Sequence, residues 1–153
     1  MIASLGNVTL WLTLIFAVSQ LFYSRKNNRL KLISFSVKGL LISSLLAFFL
    51  LIYLHIISDF SVLNVFNNSH TTKPLIYKIS GVWGNHEGSM LLWIAVLILF
   101  NYFIFKLYNK TNYKFISKSL EFQAFITIGF VVFTIFTSNP FQKIFPIPND
   151  GLG

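Results

Sequence analysis

The sequence predicts an all-α integral membrane protein: a bundle of four transmembrane helices with both termini on the outer side. Three observations carry this. Of 153 residues, 55% are hydrophobic and only 10% charged, with a mean hydropathy of +0.70, whereas soluble globular chains carry about 25% charged residues. Four apolar runs reach the roughly 17–25 residues that cross a bilayer. The Lys and Arg residues flank these runs and gather on one side of them.

The first span is expected over about residues 5–22, ending in Ser24-Arg25-Lys26-Asn27-Asn28-Arg29. No basic region precedes it and no small-residue cleavage site follows, so it reads as a retained span, not a secretory signal. The second covers about 33–57, with Lys38 one turn inside, where its stem can snorkel to the headgroups. Residues 58–89 read as a polar outer loop holding His70 and Pro74. The third span is expected over about 90–107, followed by Lys106, Lys110, Lys114 and Lys118. The fourth covers about 116–137, and a Pro-punctuated tail runs from Asn139-Pro140 to Gly153.

Orientation follows from the distribution of basic residues. Arg25, Lys26, Arg29, Lys31, Lys38, Lys106, Lys110, Lys114 and Lys118 make nine on one side, against Lys73, Lys78 and Lys143, three on the other. The positive-inside rule places the nine in the cytoplasm or mitochondrial matrix. The termini and the long loop are then expected in the periplasm or intermembrane space.

A net charge of +8 does not point to nucleic acid, because the cations flank apolar helices and form no separate basic face. Membrane lipid is the expected partner of these charges. With no Cys, disulfides and thiolate-held metals are excluded.

The segment Gly81 to Trp93 stands apart, setting two of three Trp, one of three His and one of four acids against an apolar run. Charged groups are costly in lipid, so the cluster belongs at the interface or against protein. Its candidate site residues are Trp83, Gly84, His86, Glu87, Gly88 and Ser89. A zinc-protease reading of His86-Glu87 needs a second His four residues on; that position is Met90, and no metal site is expected. The start of the following helix would favour a carboxylate or propionate. Glu87 and Ser89 serve equally as that helix's own cap, which local physics favours.

His55 is read either as an imidazole reaching headgroups beside Tyr53 or as a haem ligand. Trp93 and Tyr102 read as interfacial belt. Glu121 is expected to pair with Lys118 at i, i+3.

Taken together these residues resemble the N-terminal part of the CcmF family, the haem lyase subunit of the cytochrome c maturation system. The resemblance rests on Leu5-Gly6-Asn7, Ser58-Asp59-Phe60-Ser61-Val62 and Pro74-Leu75-Ile76-Tyr77-Lys78. Val82-Trp83-Gly84-Asn85-His86-Glu87-Gly88-Ser89-Met90-Leu91-Leu92-Trp93, Thr137-Ser138-Asn139-Pro140-Phe141 and the closing Asp150-Gly151 complete it. The nitrite-reductase-associated haem lyases share the central segment. The family's Trp-rich haem-binding segment and its haem-associated histidines have no counterpart in these residues.

The resemblance implies a subunit or fragment of a cytochrome c haem lyase, supporting covalent attachment of haem to apocytochrome c. Haem is expected in the complete assembly and not on this chain alone, which is not expected to catalyse attachment by itself. The expected partners are a complementing C-terminal lyase part carrying the Trp-rich segment, other cytochrome c maturation proteins, and apocytochrome c. Asn101, Ser43, Ser44 and Gly129 are the small or polar positions expected to meet further helices. The location implied is the bacterial or mitochondrial inner membrane. A different-class alternative is a non-enzymatic helical subunit of a transporter or respiratory complex.

Overall fold

The computed structural model describes residues 1–26, 30–107 and 113–153. Arg29, Asn109 and Lys110 lie outside them.

Four helices are long and apolar enough to cross a membrane: α1 (Ile2–Ser24), α2 (Leu30–Ile56), α5 (His86–Lys106) and α6 (Tyr113–Phe136). Even the shortest, with 21 residues, spans about 30 Å at 1.5 Å per residue, the thickness of the hydrocarbon core. Two short helices, α3 (Leu63–Asn68) and α4 (Leu75–Gly81), lie in the long connection. The polar outer loop expected over 58–89 is therefore partly helical. Pro74 sits at the N-cap of α4 with φ −58°, where its missing N–H costs nothing.

Helix α1 packs mainly on α2 and α6, and α5 packs on the same two, so α1 and α5 take opposite corners of the bundle. Leu10, Ala17, Leu40, Ala47, Leu51, Leu91, Ile98 and Val131 belong to one buried core. A second, smaller cluster joins Ile33 and Val37 to Ile116 and Leu120. Large side chains such as Phe35, Ile42, Phe100, Phe122 and Phe125 point outward, as lipid-facing positions of a membrane bundle do.

Hydrogen bonds tie the polar interior together. Thr13 donates to Ser43 Oγ at 2.9 Å, joining α1 to α2. Gln20 and Asn101 pair across the bundle, and Gln20 Nε2 also donates to the Leu120 carbonyl at 2.9 Å. These contacts correct one expectation. Asn101, Ser43 and Ser44 are buried within this bundle, while Gly129 faces outward. Of the four positions, only Gly129 is open to a neighbouring helix.

Both chain ends and the 57–85 connection meet at one end of the bundle, called here the loop end. Residues 137–153 fold back across it. Leu63 N–H donates to the Gln142 carbonyl at 2.8 Å, Ile144 N–H to Ser61, and Leu152 N–H to Phe66 at 2.8 Å. Phe141 is fully buried against Gly6, leaving no room there for a Cβ. Asn139 donates to Asn7 Oδ1 at 2.8 Å. Lys78, counted among the outer cations, is buried, its Nζ donating to Ser58 Oγ at 2.6 Å and to the Thr71 carbonyl.

The opposite, basic end is closed by Glu121, which accepts from Lys118 as expected and also from Arg25 Nε at 2.8 Å.

Candidate functional site at the loop end

The third span begins at His86, four residues before the expected start at Met90. Asn85 is the reason. Its backbone is extended (φ −118°, ψ 167°) and its Oδ1 accepts from Gly88 N–H at 2.8 Å, the geometry of an N-cap. The cap is thus Asn85, not Glu87 or Ser89; the Ser89 hydroxyl instead donates to the His86 carbonyl at 2.9 Å.

Asn85 also binds the turn before it. Its Nδ2 donates to the carbonyls of Gly81 at 2.9 Å and Val82 at 3.1 Å, and its Oδ1 takes a second bond from Asn64 Nδ2 at 2.7 Å. Both donors and both acceptor positions of the amide are engaged. One side chain therefore welds α3, the end of α4 and the start of α5. Gly88 is needed for this approach, because a Cβ there would collide with the Val82 carbonyl.

Glu87 faces α3, accepting from Asn64 Nδ2 at 3.2 Å. It also stands in the first turn, where a carboxylate complements the helix dipole. His86 faces elsewhere, since successive helical residues lie about 100° apart. Its Nδ1 is 3.2 Å from Ser138 Oγ, and its ring meets Phe133 edge-on at 6.3 Å. The neighbours His86 and Glu87 therefore do not act on one point.

His86 stands at the head of an open groove of about 540 Å³ between α5 and α6, lined by Met90, Phe125, Ile126, Gly129, Phe130 and Phe133. Its wall is apolar and aromatic, and among the described residues that line it the imidazole is the one ionisable group. Ser138 is buried, so its hydroxyl orients the ring and offers no accessible nucleophile. Trp83 and Gly84 lie on the exposed turn between α4 and α5.

His55 does not reach the headgroups. It is 0% exposed, while Tyr53 is 48% exposed. Residues two apart on a helix lie about 200° apart, so Tyr53 facing lipid turns His55 inward. Its Nδ1 lies 3.1 Å from the Leu51 carbonyl, and its Nε2 has no hydrogen-bond partner among the described residues. The third imidazole, His70, has Nε2 3.2 Å from Asp150 Oδ2. Asp150 also accepts from the Thr71 hydroxyl at 2.7 Å, from Thr71 N–H and from Gly151 N–H. The Thr71 hydroxyl is the main reason the Asp150 carboxyl is held below its ordinary range, with the two amides and His70 adding to it. Among the described residues no group of three His, Cys, Asp or Glu is placed to hold a metal ion.

Sequence reading missed Asn85, Asn64 and Ser138. The first carried a signal, an Asn two residues before an acid suited to the first turn of a helix. The other two are joined to the segment only by folding, across 21 and 52 residues.

No family model matches the sequence. Individual proteins do. Cytochrome c-type biogenesis protein CcmF of Haemophilus influenzae is 40% identical over 158 residues, covering 99% of this chain and 24% of that protein. CycK of Bradyrhizobium diazoefficiens, another cytochrome c-type biogenesis protein, is 49% identical over 105 residues, 69% of this chain and 16% of that protein. NrfE of Haemophilus influenzae is 40% identical over 103 residues, 67% of this chain. A solved structure titled cytochrome c haem lyase CcmF superposes with a TM-score of 0.86 at 25% identity, covering 93% of this chain and 25% of that one. The chain thus spans about a quarter or less of the length of the relatives it matches.

Proposed function

This chain belongs to the CcmF family, and on that premise we propose that it serves cytochrome c maturation as a four-helix part of a haem lyase assembly. The observation that carries the reading is the agreement of 93% of the chain with the fold of a haem lyase. Because the chain corresponds to about a quarter of that structure, attachment of haem to apocytochrome c is a property of the assembly. Partners supply the remaining parts, including the Trp-rich segment, and other maturation proteins and the apocytochrome meet the assembly.

The protein is multi-pass, and we place it in the bacterial or mitochondrial inner membrane. The nine-to-three distribution of Lys and Arg supports a loop end in the periplasm or intermembrane space.

Haem is the substrate in this reading. The imidazoles of this chain suit a positioning role better than axial ligation. His55 has an unpartnered Nε2 but is fully enclosed, so packed helices would have to part before a flat macrocycle reached it. His86 is accessible and heads an apolar groove. Its imidazole can hydrogen-bond a carboxylate at the edge of a bound partner or substrate, with Ser138 fixing the ring. Asn85, Glu87 and Gly88 hold that turn in place, and Trp83 and Gly84 offer the exposed surface beside it.

The test is genetic and biochemical together. Cells lacking the chain should lose haem-stained c-type cytochromes and regain them with a tagged copy. That copy, extracted in mild detergent, should bring with it a protein carrying the Trp-rich segment. Normal cytochrome c without the chain would refute the proposal.

A further inference from the structure

The basic end of the bundle lies away from the Gly81–Trp93 segment and its groove. Between the last turn of α1 and the first turns of α6 is a pocket of about 310 Å³, lined by Ser24, Arg25, Lys114, Ser117, Lys118 and Glu121 among others. Three of these are cations and one is an acid, leaving two positive charges in excess. Glu121 accepts from Arg25 Nε at 2.8 Å and from Lys118 Nζ at 2.7 Å. That carboxylate holds both cations at the pocket while engaging only one of the five guanidinium N–H donors.

The second observation is Ser24. It lines the pocket, is only 6% exposed, and its hydroxyl has no hydrogen-bond partner among the described residues. The neighbouring Ser117 hydroxyl is satisfied, donating to the Ser24 carbonyl at 2.6 Å. Buried hydroxyls are rarely left unpaired. Here the orphan stands beside an excess of positive charge at the end of two membrane-spanning helices, the depth of lipid headgroups.

We infer that this pocket binds one anionic phosphate group, taking a hydrogen bond from Ser24 and charge pairing from Arg25, Lys114 and Lys118. A phosphate oxygen accepts from hydroxyl, guanidinium fork and ammonium alike. The chemistry is that of an acidic lipid headgroup or of free phosphate, and the site is independent of the role proposed in cytochrome c maturation.

The full chain, extracted in mild detergent with whatever accompanies it, is examined by native mass spectrometry and thermal unfolding at constant ionic strength. The probes are phosphatidylglycerol, phosphatidylcholine and inorganic phosphate. Phosphatidylglycerol should be retained as one bound lipid and raise the unfolding temperature above that in phosphatidylcholine. Displacement by millimolar inorganic phosphate marks a site for the phosphate group itself, and failure to displace marks one for the whole headgroup. Ser24→Ala should lower retention roughly tenfold, the loss of one bond to a charged group, without lowering the lipid-free unfolding temperature. Lys114→Gln should weaken it too. Equal retention of both lipids, or retention unchanged in both variants, would overturn the inference and leave a solvated charge cluster.

Discussion

Gln20 and Asn101 exchange two amide hydrogen bonds of 2.8 Å across opposite corners of the bundle. Each amide satisfies the other, and Gln20 donates its second amide N–H to the Leu120 carbonyl on a third helix. Among the described residues this polar link spans the diagonal, and it sits where lipid offers no alternative partner.

It follows that Gln20→Leu should destabilise the chain by about 1–2 kcal/mol, since Asn101 is left unpaired in the interior. Replacing both residues by Leu should recover much of that loss, because no orphan remains. Unfolding in a detergent and denaturant series reads the difference. A double variant no better than the single would show that shape, not pairing, is what the site needs.

Asn85→Ala should be the most damaging single change at the loop end. It removes the cap, at about 1 kcal/mol or more, and releases Asn64, Gly81 and Val82 together. Asn85→Asp keeps the acceptor and loses the two donated bonds, so it should fall between. Chain abundance in membranes should follow the same order. Gly88→Ala, driven against the Val82 carbonyl, belongs with the severe group.

At the candidate site, His86→Ala should lower haem attachment while chain level and partner recovery hold. Glu87→Gln should be nearly silent, because the amide keeps an acceptor for Asn64 and forfeits only a helix-dipole term of about 0.3–1 kcal/mol. Haem-stained cytochrome c against immunodetected chain separates the two. Parallel loss of both signals in His86→Ala would make that residue structural.

The tail carries a pH dependence. Hydrogen bonding, chiefly from the Thr71 hydroxyl, depresses the Asp150 carboxyl. A depressed pKa contributes stability above the unfolded value and loses it as pH falls through the folded one. Between neutral pH and the ordinary carboxylate range the tail should stay attached, and below that range it should release. Cleavage of residues 147–153, by a neutral protease near pH 7 and an acid protease below it, each normalised to a free peptide of the same sequence, should rise only at the acid end. Asp150→Asn should show raised cleavage already at neutral pH.

For topology, cysteines introduced at Thr72 and Asn109 should label from opposite faces, Thr72 from the periplasm or intermembrane space. Labelling of both from one side would reverse or abolish the proposed orientation.

The four spans were legible because a bilayer demands long apolar runs, and nothing in folding overrides that demand. Their ends were less so. The start of α5 depended on whether Asn85, Glu87 or Ser89 capped it, and all three have side chains able to do so. Asn85 took the Gly88 N–H, and Asn64, a residue whose nearness no spacing reveals, braces it there. His55 was misplaced because depth along a span was read and facing was not. Tyr53, two positions away, held that information. His86 was singled out for its company of Gly and Trp, yet its working surroundings, Ser138 and the α6 wall of its groove, come from residues that only folding brings near.

The meeting of Gly6 and Asn7 with Phe141 and Asn139 has a consequence for the order of synthesis. The first helix enters the membrane with its opening turn unfinished, lacking the ring that fills the notch at Gly6 and the amide that engages Asn7. Neither arrives until the fourth span has crossed and residues 139–141 have reached the same surface. Through that interval the newly inserted α1 is held by its neighbours alone, and residues 139–141 are the latch that closes over Gly6 and Asn7.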